Sequence, residues 1–147
     1  PVISSAASDV YKRQIFVVNN FNKTINYKIL LAVDDSPGTK KAVKYGVRVA
    51  QAFGIKVQII TVNEDDNSSE ANKKSSENAS KMMRRCGVEA ETKFEIGNPV
   101  DKIIELAGED HIIIMGASTQ SPIAKFFTGS KPLNVMQNSN CPILIVK

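Results

Sequence analysis

From Tyr27 onward, the alternation of apolar and polar positions divides the chain into a regular series of strands and helices. Residues 29–33, within "YKILLAVDDS", form a continuous apolar run of the kind a strand makes when both its faces are buried in a parallel sheet. The run stops at Asp34. Ser36 is placed to cap a helix with Pro37 in its first turn, and Ala42, Val43, Gly46, Val49, Ala50 and Phe53 recur at helical spacing until Gly54. "KVQIITV", residues 56–62, predicts a second strand. The polar stretch "NEDDNSSEANKKSSENAS" has too few apolar residues for a core face and is expected to begin as a loop. Helix resumes inside it, with Ala79, Met82, Met83 and Cys86 as its stripe and Gly87 as its stop. "ETKFEIG" alternates as a third strand. Asn98 and Pro99 open a third helix that buries Val100, Ile103, Ile104 and Ala107, and "HIIIMG" supplies a fourth strand. Residues 131–137 predict a short helix with Pro132 in its first turn, and "PILIV" the last strand.

Strands alternating with helices specify an α/β fold: a doubly wound, five-stranded, mainly parallel sheet with helices on both faces. Ligands of such sheets bind beyond the carboxyl ends of the strands, where the strand order reverses. Asp34 after the first strand, Val62 at the end of the second and the loop that begins at Gly116 after the fourth all come to that end.

The start of the chain reads differently. Residues 1–14, "PVISSAASDVYKRQ", are small and polar without periodicity, and "DVYKRQ" matches the translation of a transposase sequencing-adaptor end, so they are set aside as a non-native or disordered tail. "IFVVNN", residues 15–20, resembles the chain's own ending "CPILIVK". Residues 15–26 are therefore either the remnant of a preceding homologous domain and its linker, or an ordinary extra strand. In the first case residues 15–18 would pair with residues 144–146, within one chain or between two. Residues 27–147 are the main domain.

Composition narrows the class. The 147 residues suffice for one domain with a core of its own, and 42% hydrophobic with 23% charged residues is ordinary globular composition. The net charge of +4 is spread along the sequence, with lysines and arginines interleaved with acids, which argues against a nucleic-acid partner. Cys86 and Cys141 show no metal or disulfide spacing and fit a reducing cytoplasm. No apolar run approaches the roughly 20 residues of a membrane span.

At this point the residues resemble the universal stress proteins. The marks are Val33, Asp34 and Ser36 at the first strand, "GNP" at Gly97, Asn98 and Pro99, "IIMG" in the fourth strand and "CP" before the last. Nucleotide-binding members carry G-x2-G-x9-G-[ST] after the fourth strand; here Gly116, Gly129 and Ser130 are in register, with Thr119 at the second glycine. The resemblance implies an adenine nucleotide alpha-hydrolase-like, Rossmann-like fold that binds ATP, with or without Mg2+, as a regulatory ligand in a stress response. It places Asp34 near the adenine or ribose, Val62 with its backbone toward the base, Gly116 near the ribose and phosphates, and Gly129 and Ser130 on phosphate. It also implies a homodimer or a tandem pseudo-dimer through the last strand. The helix start after Ser130 is on physical grounds a natural anion site. Thr119 acts against phosphate binding if glycine there serves a positive φ or a close approach, at a cost of about 1–3 kcal/mol, or contributes its own hydroxyl contact. Pro122 removes one N–H from the loop. A second carboxylate at Asp35 would repel phosphate if turned inward.

Each feature also has a plain structural explanation. Asp34 can cap a helix turn, and Gly129 and Ser130 can be a helix cap and nothing more. His111 is read as a core-edge residue, Cys141 as a small buried hydrophobe and the Met82–Met83 pair as core. There is no Ser/His/Asp trio and no Walker loop, so catalysis beyond slow hydrolysis is not indicated. The remaining hypothesis is an interaction module that binds no nucleotide and works through dimer contacts.

Overall fold

A computed structural model of the chain describes residues 15–18 as backbone and residues 21–67, 69–116 and 141–146 with their side chains. The elements are β1 (Ile15–Val18), β2 (Lys28–Ala32), α1 (Gly38–Phe53), β3 (Val57–Asn63), α2 (Glu70–Arg85), β4 (Ala90–Ile96), α3 (Pro99–Ala107), β5 (His111–Gly116) and β6 (Ile143–Val146). The helix expected over residues 131–137 lies outside the described residues.

The strands form one sheet in the order β1-β6-β5-β2-β3-β4. The five strands from β2 to β6 are parallel to their neighbours, as the alternating pattern requires. The chain winds outward from β2 through β3 to β4, then returns to β5 on the other side of β2, so the order reverses between β2 and β5. A sixth strand extends the five: β1 runs antiparallel to β6, with Ile15 opposite Val146 and Val18 opposite Ile143. The pairing anticipated for residues 15–18 forms within the chain, and the edge of β6 is covered.

Successive side chains along the central strands go to opposite faces. Ile29, Leu31, Ile112 and Ile114 join a core under α1 and α2, while Leu30, Ala32, Ile113 and Met115 join a second core with α3. All eight are buried. At roughly 1.5–3 kcal/mol for each fully buried large aliphatic chain, these central strands dominate the stability of the domain.

α1 differs from expectation at its start. Ser36 does not cap it; Pro37 holds the N-cap position and offers no side-chain cap, because the Ser36 hydroxyl is bonded to the Asp34 carboxylate instead. α1 stops at Gly54, whose N–H bonds to the Ala50 carbonyl. Phe53 was expected inside and is 65% exposed in the last turn of α1. α2 begins earlier than the apolar stripe suggests: the Ser69 hydroxyl accepts from the Asn72 N–H, Glu70 lies in the first turn, and Arg84 and Arg85 lie in the last. Its buried face is Ser76, Ala79 and Met83; Met82 and Cys86 are exposed, which corrects their placement in the core. α3 matches its sequence signal, with the Asn98 side chain accepting from the N–H groups of Val100 and Asp101 and Pro99 in the first turn. Gly97, just before it, has φ of 137°, a conformation that side-chain-bearing residues rarely adopt, and its N–H bonds to the Asn63 carbonyl at 2.8 Å.

Candidate functional site

At the carboxyl end of the sheet, a cleft lies between the ends of β2 and β3 and the first turns of α3. Ala32, Val33, Asp34, Asp35, Ile60, Val62, Asn72, Pro99 and Ile103 line it. Including its open mouth, the space is about 370 Å³, and the enclosed part of it is about 40 Å³. The floor is aliphatic, from Ala32, Ile60 and Ile103, and the rim is polar. This is the end at which a doubly wound sheet binds ligands.

Asp34 organises the loop that follows β2. One of its carboxylate oxygens accepts from the Ser36 N–H at 3.0 Å, the Ser36 hydroxyl and the Thr39 hydroxyl at 2.8 Å. Its own N–H donates to Thr39 Oγ1 at 3.1 Å. Ser36 and Thr39 are both buried, so the carboxylate satisfies hydroxyls that burial would otherwise penalise. Asp34 therefore holds the start of α1 in place while lining the cleft. Asp35 is exposed as expected, and its N–H donates to Asn72 Oδ1 at 2.9 Å.

Asn72 was not singled out from the sequence. Its Nδ2 donates to Asn63 Oδ1 at 2.9 Å, so one side chain in the first turn of α2 ties together the loop after β2 and the end of β3. The signal available in the sequence was the Ser69–Asn72 spacing of an N-terminal cap, hidden in a stretch read for its lack of apolar residues.

Gly116 ends β5, beside β2 where the strand order reverses. A Cβ on it would lie 2.5 Å from the carbonyl carbon of Gly38 and 2.6 Å from its oxygen. Glycine is required here by backbone against backbone, independently of any ligand. Val62 is partly buried and lines the cleft beside Ile60. Asp34 and Val62 thus share one cleft, with Gly116 at the neighbouring strand end. Thr119, Gly129 and Ser130 lie outside the described residues.

His111, at the opposite end of β5, is buried with Nδ1 2.9 Å from the Ala107 carbonyl and 2.8 Å from Asp110 Oδ1. It is the core-edge residue expected. Cys141 is buried. Among the described residues there is no group of three or more His, Cys, Asp or Glu side chains able to hold a metal ion, and no helix long and apolar enough to cross a membrane.

The sequence model of the universal stress protein family matches residues 26–147. The chain belongs to the universal stress protein family. Among its relatives is a universal stress protein of Thermus aquaticus, 30% identical over 133 residues, an alignment that covers 81% of this chain and 97% of that protein. The fold is similar to the crystal structure of a universal stress protein from Archaeoglobus fulgidus, with TM-score 0.66 and 21% identity. That match covers 90% of this chain and 49% of the other, so the present chain spans about half its length. It is also similar to a universal stress protein crystallised in complex with cAMP, with TM-score 0.63 and 25% identity over 83% of this chain and 98% of that one.

Proposed function

We propose that the domain binds ATP or a related adenine nucleotide as a regulatory ligand in a cytoplasmic stress response, with hydrolysis slow or absent. The observation that carries this reading is the cleft itself: an aliphatic floor suited to a flat base, with a carboxylate rim suited to ribose hydroxyls, at the ligand-binding end of the sheet. The family relative in complex with cAMP supports the same ligand class. Charge sets the orientation. Asp34 and Asp35 follow β2 and Glu64, Asp65 and Asp66 follow β3, whereas residues 117–140 contain Lys125 and Lys131 and no acid. The base and ribose belong on the β2–β3 side at Asp34 and Val62, and the phosphates toward Gly116, Thr119, Gly129 and Ser130. Mg2+, where it participates, would be carried by the phosphates.

The test is a titration with adenosine, AMP and ATP, using cytidine as control, on the parent chain and on Asp34→Asn. The amide keeps an acceptor oxygen for Ser36 and Thr39 while the charge is removed, and circular dichroism checks that the variant is folded. Adenosine affinity about tenfold weaker is expected in the folded variant, the size of one charge-assisted hydrogen bond. Equal response to cytidine and adenosine would overturn the reading.

A second reading, an interaction module that works through dimer contacts at the last strand without nucleotide, is favoured by a specific observation. Gly116 and Asp34 already have structural work in the ligand-free fold, and the edge of β6 accepts an antiparallel strand. In this reading β1 stands where a partner copy, or the preceding half of a tandem pseudo-dimer, would sit. Val17→Pro disrupts the β1 ladder opposite Leu144. A shift from monomer to dimer on light scattering would support an edge that pairs chains; a monomer in both forms would count against it.

A further inference from the structure

The cations that are scattered along the sequence are gathered by the fold. α1 and α2 together carry Lys40, Lys41, Lys44, Arg48, Lys73, Lys74, Lys81, Arg84 and Arg85 against Glu70 and Glu77. This layer holds more positive charge than the +4 of the whole chain. All nine cations are exposed. Among the described residues none of them is in an ion pair, although Lys28, Lys56, Lys93 and Lys102 elsewhere all are.

Between these helices runs a groove of about 620 Å³ including its mouth, lined by Thr39, Lys40, Val43 and Lys44 of α1 and Ser75, Asn78, Ala79 and Met82 of α2. Its floor is apolar, from Val43, Ala79 and Met82, and Met82 is 37% exposed. Helical spacing puts a row of cations on each side. Lys40, Lys44 and Arg48 follow one another at i, i+4 along α1, while Lys74, Lys81 and Arg85 stand with Asn78 in one row along α2. The lined stretch is about two helical turns long, or roughly 10 Å.

We infer that this groove docks an acidic amphipathic helix of a partner protein. Its apolar residues at i and i+4 enter between Val43 and Met82, and carboxylates on both flanks meet the two rows of cations. The floor decides against the other polyanions. A nucleic-acid backbone would satisfy the cations but leave the apolar floor uncovered. A membrane surface calls for large apolar side chains projecting along the layer, whereas these helices expose only Met82 here and Phe53 at the far end of α1 among their described large hydrophobics. The helix-in-groove arrangement uses both features together. The inference is independent of the nucleotide cleft, which opens at the end of the sheet.

The experiment is fluorescence anisotropy on the whole chain at low salt with a labelled helical peptide of about 18 residues, or about five turns, bearing leucines at i, i+4 and glutamates on both flanks. A peptide of the same composition in scrambled order, a short DNA duplex and phosphatidylserine vesicles serve as alternatives. The patterned peptide is expected to bind at least about tenfold more tightly than the scrambled one, and Lys40→Glu with Lys44→Glu to weaken it by about tenfold. Asn78→Trp, which fills the groove and leaves every charge in place, is expected to abolish specific binding, and Lys23→Glu to change nothing. Circular dichroism and Tm confirm that each variant is folded. Equal binding of the scrambled peptide, tighter binding of DNA or vesicles, indifference to Asn78→Trp, or no binding of the patterned peptide would each overturn the inference.

Discussion

The two faces of the sheet are built by opposite means. On one, α1 and α2 each run for 16 residues and bury small side chains, Ala42, Gly46, Ala50, Ser76 and Ala79, together with Val43, Val47 and Met83. The outer surfaces of these helices are left to charge. On the other face, α3 has nine residues and buries Val100, Ile103 and Ala107 directly against β2, β3 and β5. There the small side chain of Ala32 and the start of α3 leave the cleft. The same alternating strands thus serve a charged surface on one side and an aliphatic hollow on the other. What separates the two is the cover: two 16-residue helices on one face and, among the described residues, one nine-residue helix on the other.

The largest expected effects test whether both faces carry the core equally. Ile114→Ala beneath α1 and Ile113→Ala on the α3 side should each cost about 2–5 kcal/mol by denaturant unfolding, since both are fully buried. A loss below about 1 kcal/mol at either one would mean that its face is loosely packed. Next comes the join between the strand ends and α1. Gly116→Ala drives a methyl into the Gly38 backbone and should cost about 1–3 kcal/mol without any ligand present. An unchanged Tm would assign that glycine to ligand alone. A smaller effect is expected at the start of α3, where Asn98→Ala removes the acceptor for two N–H groups and should cost about 1 kcal/mol. Smallest of all, Lys40→Glu with Lys44→Glu should shift stability by no more than about 0.5 kcal/mol, because both side chains are exposed and unpaired among the described residues.

The comparison also explains what could be read from the sequence. Continuous apolar runs such as residues 29–33 and 112–115 mark buried parallel strands, and Gly54 and the Asn98–Pro99 pair mark a helix stop and a helix start because each carries a local backbone requirement. α2 was only half visible: Ala79 and Met83 of its expected stripe are buried, but the polar Ser76 completes that face while Met82 and Cys86 are exposed. Ser36 was a plausible cap, but its hydroxyl is taken by Asp34, a choice made by the buried Thr39 and the path of the loop rather than by any pairwise spacing. Position told more than residue identity at the candidate site: Asp34 and Val62 fall at strand ends and therefore in the cleft, whereas Asn72 reaches it from a distant polar stretch. The basic layer was invisible for a geometric reason. Cations carried by two separate helices come to one side only when those helices pack on the same face.

The central claim is that an adenine nucleotide occupies the carboxyl end of the sheet, and isothermal titration of the whole chain with ATP and Mg2+, beside Thr119→Gly and Ser130→Ala, tests it most directly. The account predicts one saturable site on the parent at about 10–100 μM, tightened by glycine at position 119 and weakened by alanine at position 130. No heat of binding from either the parent or Thr119→Gly would contradict it and leave the domain as a protein-interaction module.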